Sequence, residues 1–241
     1  MYKQLTPFST GSFAGKKLRP LKDFTFAAAS YIAPVFVSEM RAAHYSYPLV
    51  FLKDPSESFG LYALLGFEQG QNLLVDENGA WEPSSHIPLA LRRYPFALAR
   101  KEGDAENFIL CIDTGSGLVN EEEGEPLVGE DGKPAKIIEE ATRFLSDVYT
   151  SEQATNAFCQ EMESLGLLDA VDMKIRDAAT GEKENVTGCH AVNEEKLNRL
   201  PDADFLRLKK RGALPLIYAH RFSLQYTERL LKFRSEKNNK I

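Results

Sequence analysis

Residues 71–96, QNLLVDENGAWEPSSHIPLALRRYPF, are the stretch around which the chain is organised. An apolar run at residues 72–75 predicts a short strand. The Asp-Glu-Asn-Gly sequence that follows predicts a turn, because these residue types favour turn conformations. Trp81, the only tryptophan of the chain, lies just beyond that turn. Residues 88–93 predict one or two helical turns, since proline is tolerated at the first turn of a helix. The Tyr94-Pro95 bond is predicted to be cis, because proline lowers the usual cost of that form.

Length and composition indicate an ordinary globular protein. The chain has 241 residues, of which 43% are hydrophobic and 27% are charged, so it can bury a sizeable core as one large domain or two small ones. The net charge of −6 argues against general nucleic-acid binding, which needs Lys and Arg to neutralise phosphates, but it leaves room for a local basic patch.

Cysteine usage and the N-terminal sequence predict a soluble cytoplasmic protein. Cys111, Cys159 and Cys189 are far apart and form no C-x-x-C pair, which suits a reducing compartment and suggests no zinc ribbon. The N-terminal residues lack the charged start and apolar core of a secretory signal, although a non-classical export signal would escape this test. The longest apolar stretch, residues 24–37, is too short to span a bilayer.

The first half of the chain predicts antiparallel strands. Short apolar runs separated by turn residues favour a meander, with strands expected at residues 48–52, 61–67, 72–75, 96–100 and 108–113. Residues 1–22 are expected to form an extended arm. Residues 116–134 are acidic and rich in glycine and are expected to form an exposed loop.

The second half of the chain predicts helices and a strand pair. Helical spacing indicates helices at 135–148 and at 150–165, the second one capped by Thr150 or Ser151 and ended by Gly166. Strands are expected at 171–176 and 186–192, with a turn at Thr180-Gly181. A helix at 202–211 is expected to end at Gly212, and a long helix with a broad apolar face is expected at 213–234. The sequence as a whole predicts a single α+β domain, residues 1–241, with a mainly antiparallel sheet and C-terminal helices packed on it.

One motif has a catalytic interpretation. Asp113 follows an apolar strand and begins Asp-Thr-Gly-Ser, the pattern in which aspartic proteases place a catalytic aspartate. Those enzymes need two such aspartates sharing one proton, and no second Asp-Thr-Gly or Asp-Ser-Gly occurs in the chain. The alternative is an Asp and Gly turn that closes a strand. We therefore predict no catalytic residue and treat an aspartic-type hydrolase using Asp113 as an alternative.

The histidines and cysteines give no metal or cofactor signature. His44, His86, His190 and His220 lack metal-ligand spacing, and the glycine-rich phosphate loops are absent from the sequence. We predict that no metal or cofactor is bound. His220 lies on the apolar stripe of the last helix and is predicted to be a core histidine, whereas Cys111 and Cys189 are predicted to be buried and inert.

The binding hypothesis rests on residues of the opening stretch. Arg92 and Arg93 offer paired donors that can hold a carboxylate or phosphate, although a salt bridge to the acidic loop is the simpler interpretation. His86 is the best acid–base or ligand-binding candidate among the histidines. The binding residues proposed from sequence are thus Trp81, His86, Arg92, Arg93 and Tyr94. The alternative is that Trp81 and Tyr94 are core residues beneath a loop.

Several segments taken together resemble the bacterial SapC family. They follow one another in order along nearly the whole chain and are YPLVF (47–51), YALLGF (62–67), NLLV (72–75), GAW (79–81), LRRYPF (91–96), LCID (110–113), EEEGEPL (121–127), NEEKL (193–197) and LIYAH (216–220). In such proteins the position after Cys-Ile-Asp is often acidic or variable, which makes the Thr-Gly-Ser of this chain a local variant.

The resemblance implies a function only in outline. The family name implies an association with bacterial surface layers, and members are often encoded near outer-membrane receptors and flavin-dependent halogenases, which implies an accessory role. It supplies no catalytic residues. We therefore expect a soluble accessory or binding protein, not a hydrolase, whose partner is an unknown protein or small molecule. A structural surface-layer component is the alternative.

Overall fold

The computed structural model describes residues 1–101, 104–176 and 183–238, and it confirms the α+β class. The strands are β1 (Leu5–Pro7), β2 (Lys17–Leu18), β3 (Ile32–Pro34), β4 (Leu49–Lys53), β5 (Phe59–Leu64), β6 (Phe96–Lys101), β7 (Asp104–Asp113), β8 (Val119–Asn120), β9 (Glu125–Pro126), β10 (Leu168–Ala170), β11 (Met173–Arg176), β12 (Lys183–Val186) and β13 (His190–Val192). The helices are α1 (Met40–Ala43), α2 (Leu89–Arg92), α3 (Lys136–Ser164), α4 (Glu194–Asn198), α5 (Asp202–Lys210), α6 (Ala213–Ser223) and α7 (Thr227–Asn238).

The chain divides into two compact units, and each is made of two separate segments. The first unit comprises Met1–Phe24 and Ala90–Thr150, and the second comprises Thr25–Leu89 and Ser151–Ile241. The division at Leu89 and Ala90 falls inside the stretch on which the binding hypothesis rests. Trp81 and His86 therefore belong to the second unit, whereas Arg92, Arg93 and Tyr94 belong to the first.

The first unit is built from two small antiparallel sheets. One has the order β1-β7-β6 and the other the order β8-β2-β9. The expected N-terminal arm supplies strands to both sheets, and its Phe13 and Leu18 are buried. These two side chains share a core cluster with Ile112, Leu127 and Ile138. Residues 1–24 are thus a structural part of this unit. In the acidic loop, residues 121–126 are exposed while Leu127 is fully buried.

The second unit is built around a five-stranded sheet with the order β10-β13-β4-β5-β3. Strand β4 lies at its centre, and residues 49–51 of this strand are completely buried. The Phe51 ring lies 6.1 Å from Phe158 of α3 and 4.9 Å from His220 of α6, measured between ring centroids. Helices from the C-terminal part of the chain therefore pack on this sheet, as predicted. Strands β11 and β12 form a separate antiparallel pair.

The strands predicted between residues 48 and 113 are antiparallel, as expected, but the prediction that they form one sheet is wrong. Strands β4 and β5 pair within the second unit, whereas β6 and β7 pair within the first. Residues 72–75, expected to be a strand, contribute one isolated bridge between Val75 and Trp81. The expected hairpin of β6 and β7 is confirmed. Residues 102–103 and the predicted Thr180-Gly181 turn lie outside the described residues.

The prediction of two helices at 135–148 and 150–165 is also wrong, because α3 runs without a break from Lys136 to Ser164. Hydroxyl groups in the region expected to cap a second helix instead donate hydrogen bonds to backbone carbonyls of α3. Thr150 Oγ1 donates to the Ser146 carbonyl at 3.0 Å, and Thr155 Oγ1 donates to that of Ser151 at 2.7 Å. A hydroxyl bonded one turn back is compatible with a helix interior. Gly166 ends the helix at a φ of +64°, as predicted.

The long C-terminal helix is divided into α6 and α7 by a 3-10 turn at Leu224–Tyr226. Ser223 Oγ donates to the His220 carbonyl at 2.6 Å and accepts the Leu49 N–H at 2.9 Å, which ties the end of α6 to strand β4. Gly212 separates α5 from α6 at a φ of +71°, as predicted. Among the described residues, no helix is long and apolar enough to cross a membrane.

Candidate functional site

Trp81 is positioned by the turn that precedes it. Asp76 Oδ1 accepts the backbone N–H groups of Asn78 at 2.9 Å and Ala80 at 2.7 Å, and Gly79 adopts a φ of +80°. An aspartate that bonds the backbone ahead of it and a glycine at positive φ are the requirements of a tight turn. The turn brings Trp81 opposite Val75, and the indole Nε1 donates to the Ser85 carbonyl at 3.1 Å.

Trp81 lines a cavity of about 240 Å³ within the second unit. Its apolar walls include Leu73, Leu74 and Phe233, and its polar groups come from Asp76, Glu82, Glu236 and Lys237. A second cavity of about 440 Å³ shares Asp76 and Lys237 with the first and is lined also by Gln71 and Asn72. Only 7% of Trp81 is exposed, so this residue is at once part of the core and part of a cavity wall.

Lys237 of α7 lines both cavities. Its Nζ donates to the carbonyl of Asn72 at 2.7 Å and to that of Val75 at 2.6 Å. Burial lowers the pKa of Lys237, and the nearby charges of Asp76 and Glu77 oppose that effect. An ammonium group held by two carbonyls beside two cavities is a polar group that can orient a ligand.

His86 is held by a buried glutamate. Its Nε2 donates to Glu39 Oε2 at 2.7 Å, and the same oxygen accepts the Leu89 N–H at 2.9 Å. Glu39 Oε1 accepts the Phe36 N–H at 3.0 Å, and the His86 N–H bonds Ser46 Oγ at 2.7 Å. Glu39 is 5% exposed, and its charge adds to the effect of burial in raising the pKa of Tyr47. This arrangement ties residues 86–89 to the segment around α1.

Arg92, Arg93 and Tyr94 are arranged separately within the first unit. Arg92 is exposed and its guanidinium lies 5.8 Å from the Phe144 ring centroid. Arg93 lies near Tyr2, where its charge opposes the rise that burial causes in the pKa of the Tyr2 phenol. Tyr94 is 6% exposed, is joined to Pro95 by the predicted cis bond, and lines a cavity of about 450 Å³ with Arg19 and Phe96.

The expected salt bridge between the arginine pair and the acidic loop is not formed among the described residues. The loop pairs instead with basic residues of the N-terminal segment: Lys16 Nζ lies 3.3 Å from Glu121, and Arg19 Nε lies 2.7 Å from Glu123. These N-terminal residues reach the loop because β2 pairs with β8 and β9, which flank it.

Asp113 is a structural acceptor at the end of β7. Its carboxylate is fully buried and accepts the backbone N–H groups of Lys3 at 3.0 Å, Gln4 at 2.7 Å and Gly115 at 3.1 Å, with the Tyr94 hydroxyl at 3.4 Å. Burial by itself raises the pKa of Asp113, but these donors outweigh burial and hold it below its ordinary value. All of these partners donate hydrogen bonds to the Asp113 carboxylate, whereas in a protease dyad a second carboxylate lies beside the catalytic one.

The predicted core positions of His220, Cys111 and Cys189 are confirmed. His220 is fully buried, accepts the Val192 N–H at 3.0 Å, and has its pKa lowered to about 3 by burial. The cysteines are free and buried, and burial raises the pKa of Cys189 to about 11 and that of Cys159 to about 12. Thiols with such pKa values are protonated at neutral pH and are poor nucleophiles. No group of three or more His, Cys, Asp or Glu residues suited to a metal ion occurs in the described parts of the chain.

Comparison with known proteins gives one result, which agrees with the resemblance seen in the sequence. A family model described as SapC matches residues 9–230. The chain belongs to the SapC family. Neither the curated proteins nor the solved structures contain a match to it.

Glu39 and Lys237 are the residues of this SapC-family chain that sequence analysis missed. Glu39 was detectable, because it is the only charged residue in the apolar stretch from Tyr31 to Met40 and a carboxylate there requires buried partners. Lys237 gave no such signal, since it is one of several lysines at the end of a basic helix. Its role depends on how α7 packs against residues 72–75.

Proposed function

We propose that this member of the SapC family is a cytoplasmic accessory protein that binds a small ligand in the cavity lined by Trp81. The observation that carries the proposal is the pair of cavities that share Asp76 and Lys237. Ligand sites combine apolar walls with a few well-placed polar groups, and this region offers an indole, a phenyl ring and an oriented ammonium group. The accessory role, and a link to cell-surface or outer-membrane receptor systems, rest on what the family resemblance implies.

The proposal narrows the binding residues suggested by the sequence. Trp81 supplies a wall of the cavity, and His86 fixes the segment that follows it through Glu39. Arg92, Arg93 and Tyr94 belong to the other unit, where Tyr94 lines a separate cavity, and none of the three lines the proposed ligand site.

A thermal-shift screen tests the ligand proposal. The melting temperature of the purified chain is measured with each compound of a defined set of amino acids, sugars, nucleotides and organic acids. Each compound is also titrated into the protein while the fluorescence of Trp81 is recorded. A ligand of the site raises the melting temperature and changes the fluorescence, because binding stabilises the folded state. The proposal is rejected if no compound in the set does both.

Two lysine variants locate the site. Lys237→Met removes the ammonium group beside the cavities, and Lys232→Met removes an exposed one from the same helix. We expect the ligand-induced shift to persist in Lys232→Met and to fall in Lys237→Met. Equal shifts in both variants would place the ligand elsewhere. Their melting temperatures without ligand show whether α7 remains docked.

The hydrolase alternative has its own test. Proteolysis at acid pH that is blocked by a pepstatin-like inhibitor and lost in Asp113→Asn would overturn the proposal. We expect no such activity, since Asp113 is surrounded by hydrogen-bond donors.

A further inference from the structure

We propose that the exposed faces of α5 and α6 form a docking surface for an anionic phospholipid bilayer. The inference goes beyond the proposed function, because it concerns residues of the second unit that do not line the Trp81 cavity. It rests on three observations. Basic residues are concentrated in the C-terminal part of the sequence, α5 and α6 each expose an apolar side chain, and two lysines lie on the same face of α5 as its exposed leucine.

The basic charge of the chain is concentrated near its C-terminal end. Residues 207–238 contain nine Lys and Arg and two Glu, although the whole chain carries a net charge of −6. Such asymmetry is typical of proteins that contact nucleic acids or membranes. The segment comprises most of the last three helices, so this charge is carried by helices of one unit.

Helix α6 presents an aromatic face to solvent. Phe222 is 59% exposed, and its ring stacks on that of Tyr218 with centroids 6.3 Å apart. Pro215, three residues before Tyr218, is exposed on the same face, whereas Ile217 and His220 are buried on the opposite one. A large exposed apolar side chain is unremarkable alone, but a stripe of them marks an interaction surface.

Helix α5 adds a second apolar side chain with lysines beside it. Leu206 is 49% exposed, and Lys209 and Lys210 follow it at the spacings that share one helix face. Leu208 is fully buried and faces inward. Only Arg211 and Gly212 separate α5 from α6, so the two exposed faces are consecutive in the chain.

Lys209 and Lys210 are the cations available for an external partner. Arg207 and Arg211 are both within ion-pair distance of Glu161, at 3.4 Å and 3.2 Å. Arg221 pairs with Glu194 at 2.8 Å. In the described part of the chain, no carboxylate pairs with Lys209 or Lys210, and both are exposed.

An anionic bilayer is the partner that fits both the exposed apolar side chains and the exposed lysines of this surface. Lysines near a membrane surface are attracted to anionic headgroups, and aromatic side chains prefer the boundary between headgroups and acyl chains. Phe222 and Leu206 are the exposed apolar side chains proposed to enter that boundary.

Vesicle flotation tests the proposal on the full chain. The protein is mixed with vesicles of phosphatidylcholine containing phosphatidylglycerol, or with vesicles of phosphatidylcholine alone, and the floated fraction is measured at low and high salt. We expect flotation with the anionic vesicles, a large loss at high salt, and little flotation with phosphatidylcholine. Absence of flotation with anionic vesicles, or equal flotation with both, overturns the proposal.

Charge-reversal variants locate the surface. Lys209→Glu with Lys210→Glu should weaken binding to the anionic vesicles at least about tenfold. Lys133→Glu with Lys136→Glu changes the net charge equally at exposed positions of the other unit and should leave binding within about twofold of the unmodified chain. Equal weakening in both double variants overturns the proposed location. Phe222→Ser should weaken binding and leave the melting temperature unchanged, because the ring is exposed.

An acidic polypeptide is the competing partner. If immobilised polyglutamate retains the chain more strongly than the anionic vesicles do, and Phe222→Ser has no effect on either, the surface recognises acidic protein and the lipid proposal is wrong.

Discussion

The carboxylate of Asp113 holds the N-terminal segment against strand β7 through the backbone N–H groups of Lys3 and Gln4. Replacing it with asparagine removes the charge and turns an NH₂ group toward a backbone donor. We expect Asp113→Asn to lower the free energy of unfolding by about 2 kcal/mol, since hydrogen bonds to charged groups are worth about that much. Urea denaturation at neutral pH measures the change.

The pH dependence gives the control for this prediction. Because the folded-state pKa of Asp113 is lowered, its contribution is present above its ordinary pKa of 3.8 and is lost as the pH falls below it. The two proteins should therefore converge in stability toward strongly acid pH. Asp147→Asn, an exposed change in the same unit, should have almost no effect at either pH. A cost as large in Asp147→Asn would contradict the structural role of Asp113.

His220 makes the second unit sensitive to acid. Its folded-state pKa of about 3 lies below the ordinary value of 6.5, so below pH 6.5 the unfolded chain binds a proton that the folded chain does not. Stability should fall as the pH drops from 6.5 toward 3, by at most about 1.4 kcal/mol per pH unit from this residue. His220→Gln should flatten that slope, and His44→Gln should not. Unfolding by urea at several pH values measures both slopes.

At the scale of elements, the turn before β9 depends on a glycine. Gly124 has a φ of +110°, and a Cβ there would lie 2.2 Å from the Leu18 carbonyl oxygen. Gly117 has a φ of +79° but faces open space. Gly117→Ala should cost about 1–2 kcal/mol from backbone strain alone. Gly124→Ala should cost clearly more, because the strands β2 and β9 must also separate. Equal melting temperatures for the two variants would contradict this reasoning.

At the scale of the whole molecule, each unit is made of two segments that are far apart in the sequence. Residues 1–24 supply β1, β2, Phe13 and Leu18 to the first unit. Deleting them should expose the edge of β7, remove the Lys3 and Gln4 donors from Asp113, and unfold that unit. Circular dichroism should show loss of strand signal, and hydrogen exchange should show loss of protection in residues 104–113. Retained protection there would mean that the N-terminal segment is dispensable.

Sequence analysis determined those features of this protein that depend on local chemistry. The α+β class, the hairpin of β6 and β7, the glycine ends of α3 and α5, the cis Tyr94-Pro95 bond and the buried positions of His220 and two cysteines follow from patterns within a few residues. The family was also identifiable, because its matching segments follow in order along nearly the whole chain.

Only the tertiary structure decided how the strands are shared between sheets and which candidate residues lie together. A strand pattern states which face is apolar but does not name the partner strand, so β4–β5 and β6–β7 could not be assigned to separate sheets in advance. Thr150 is equally suited to cap a helix or to bond one turn back, and packing along α3 decided between them. The stretch from Gln71 to Phe96 is continuous in sequence, yet it crosses from one unit to the other at Leu89. Trp81 and the arginine pair therefore belong to different units, and that assignment depends on long-range packing, which no local pattern encodes.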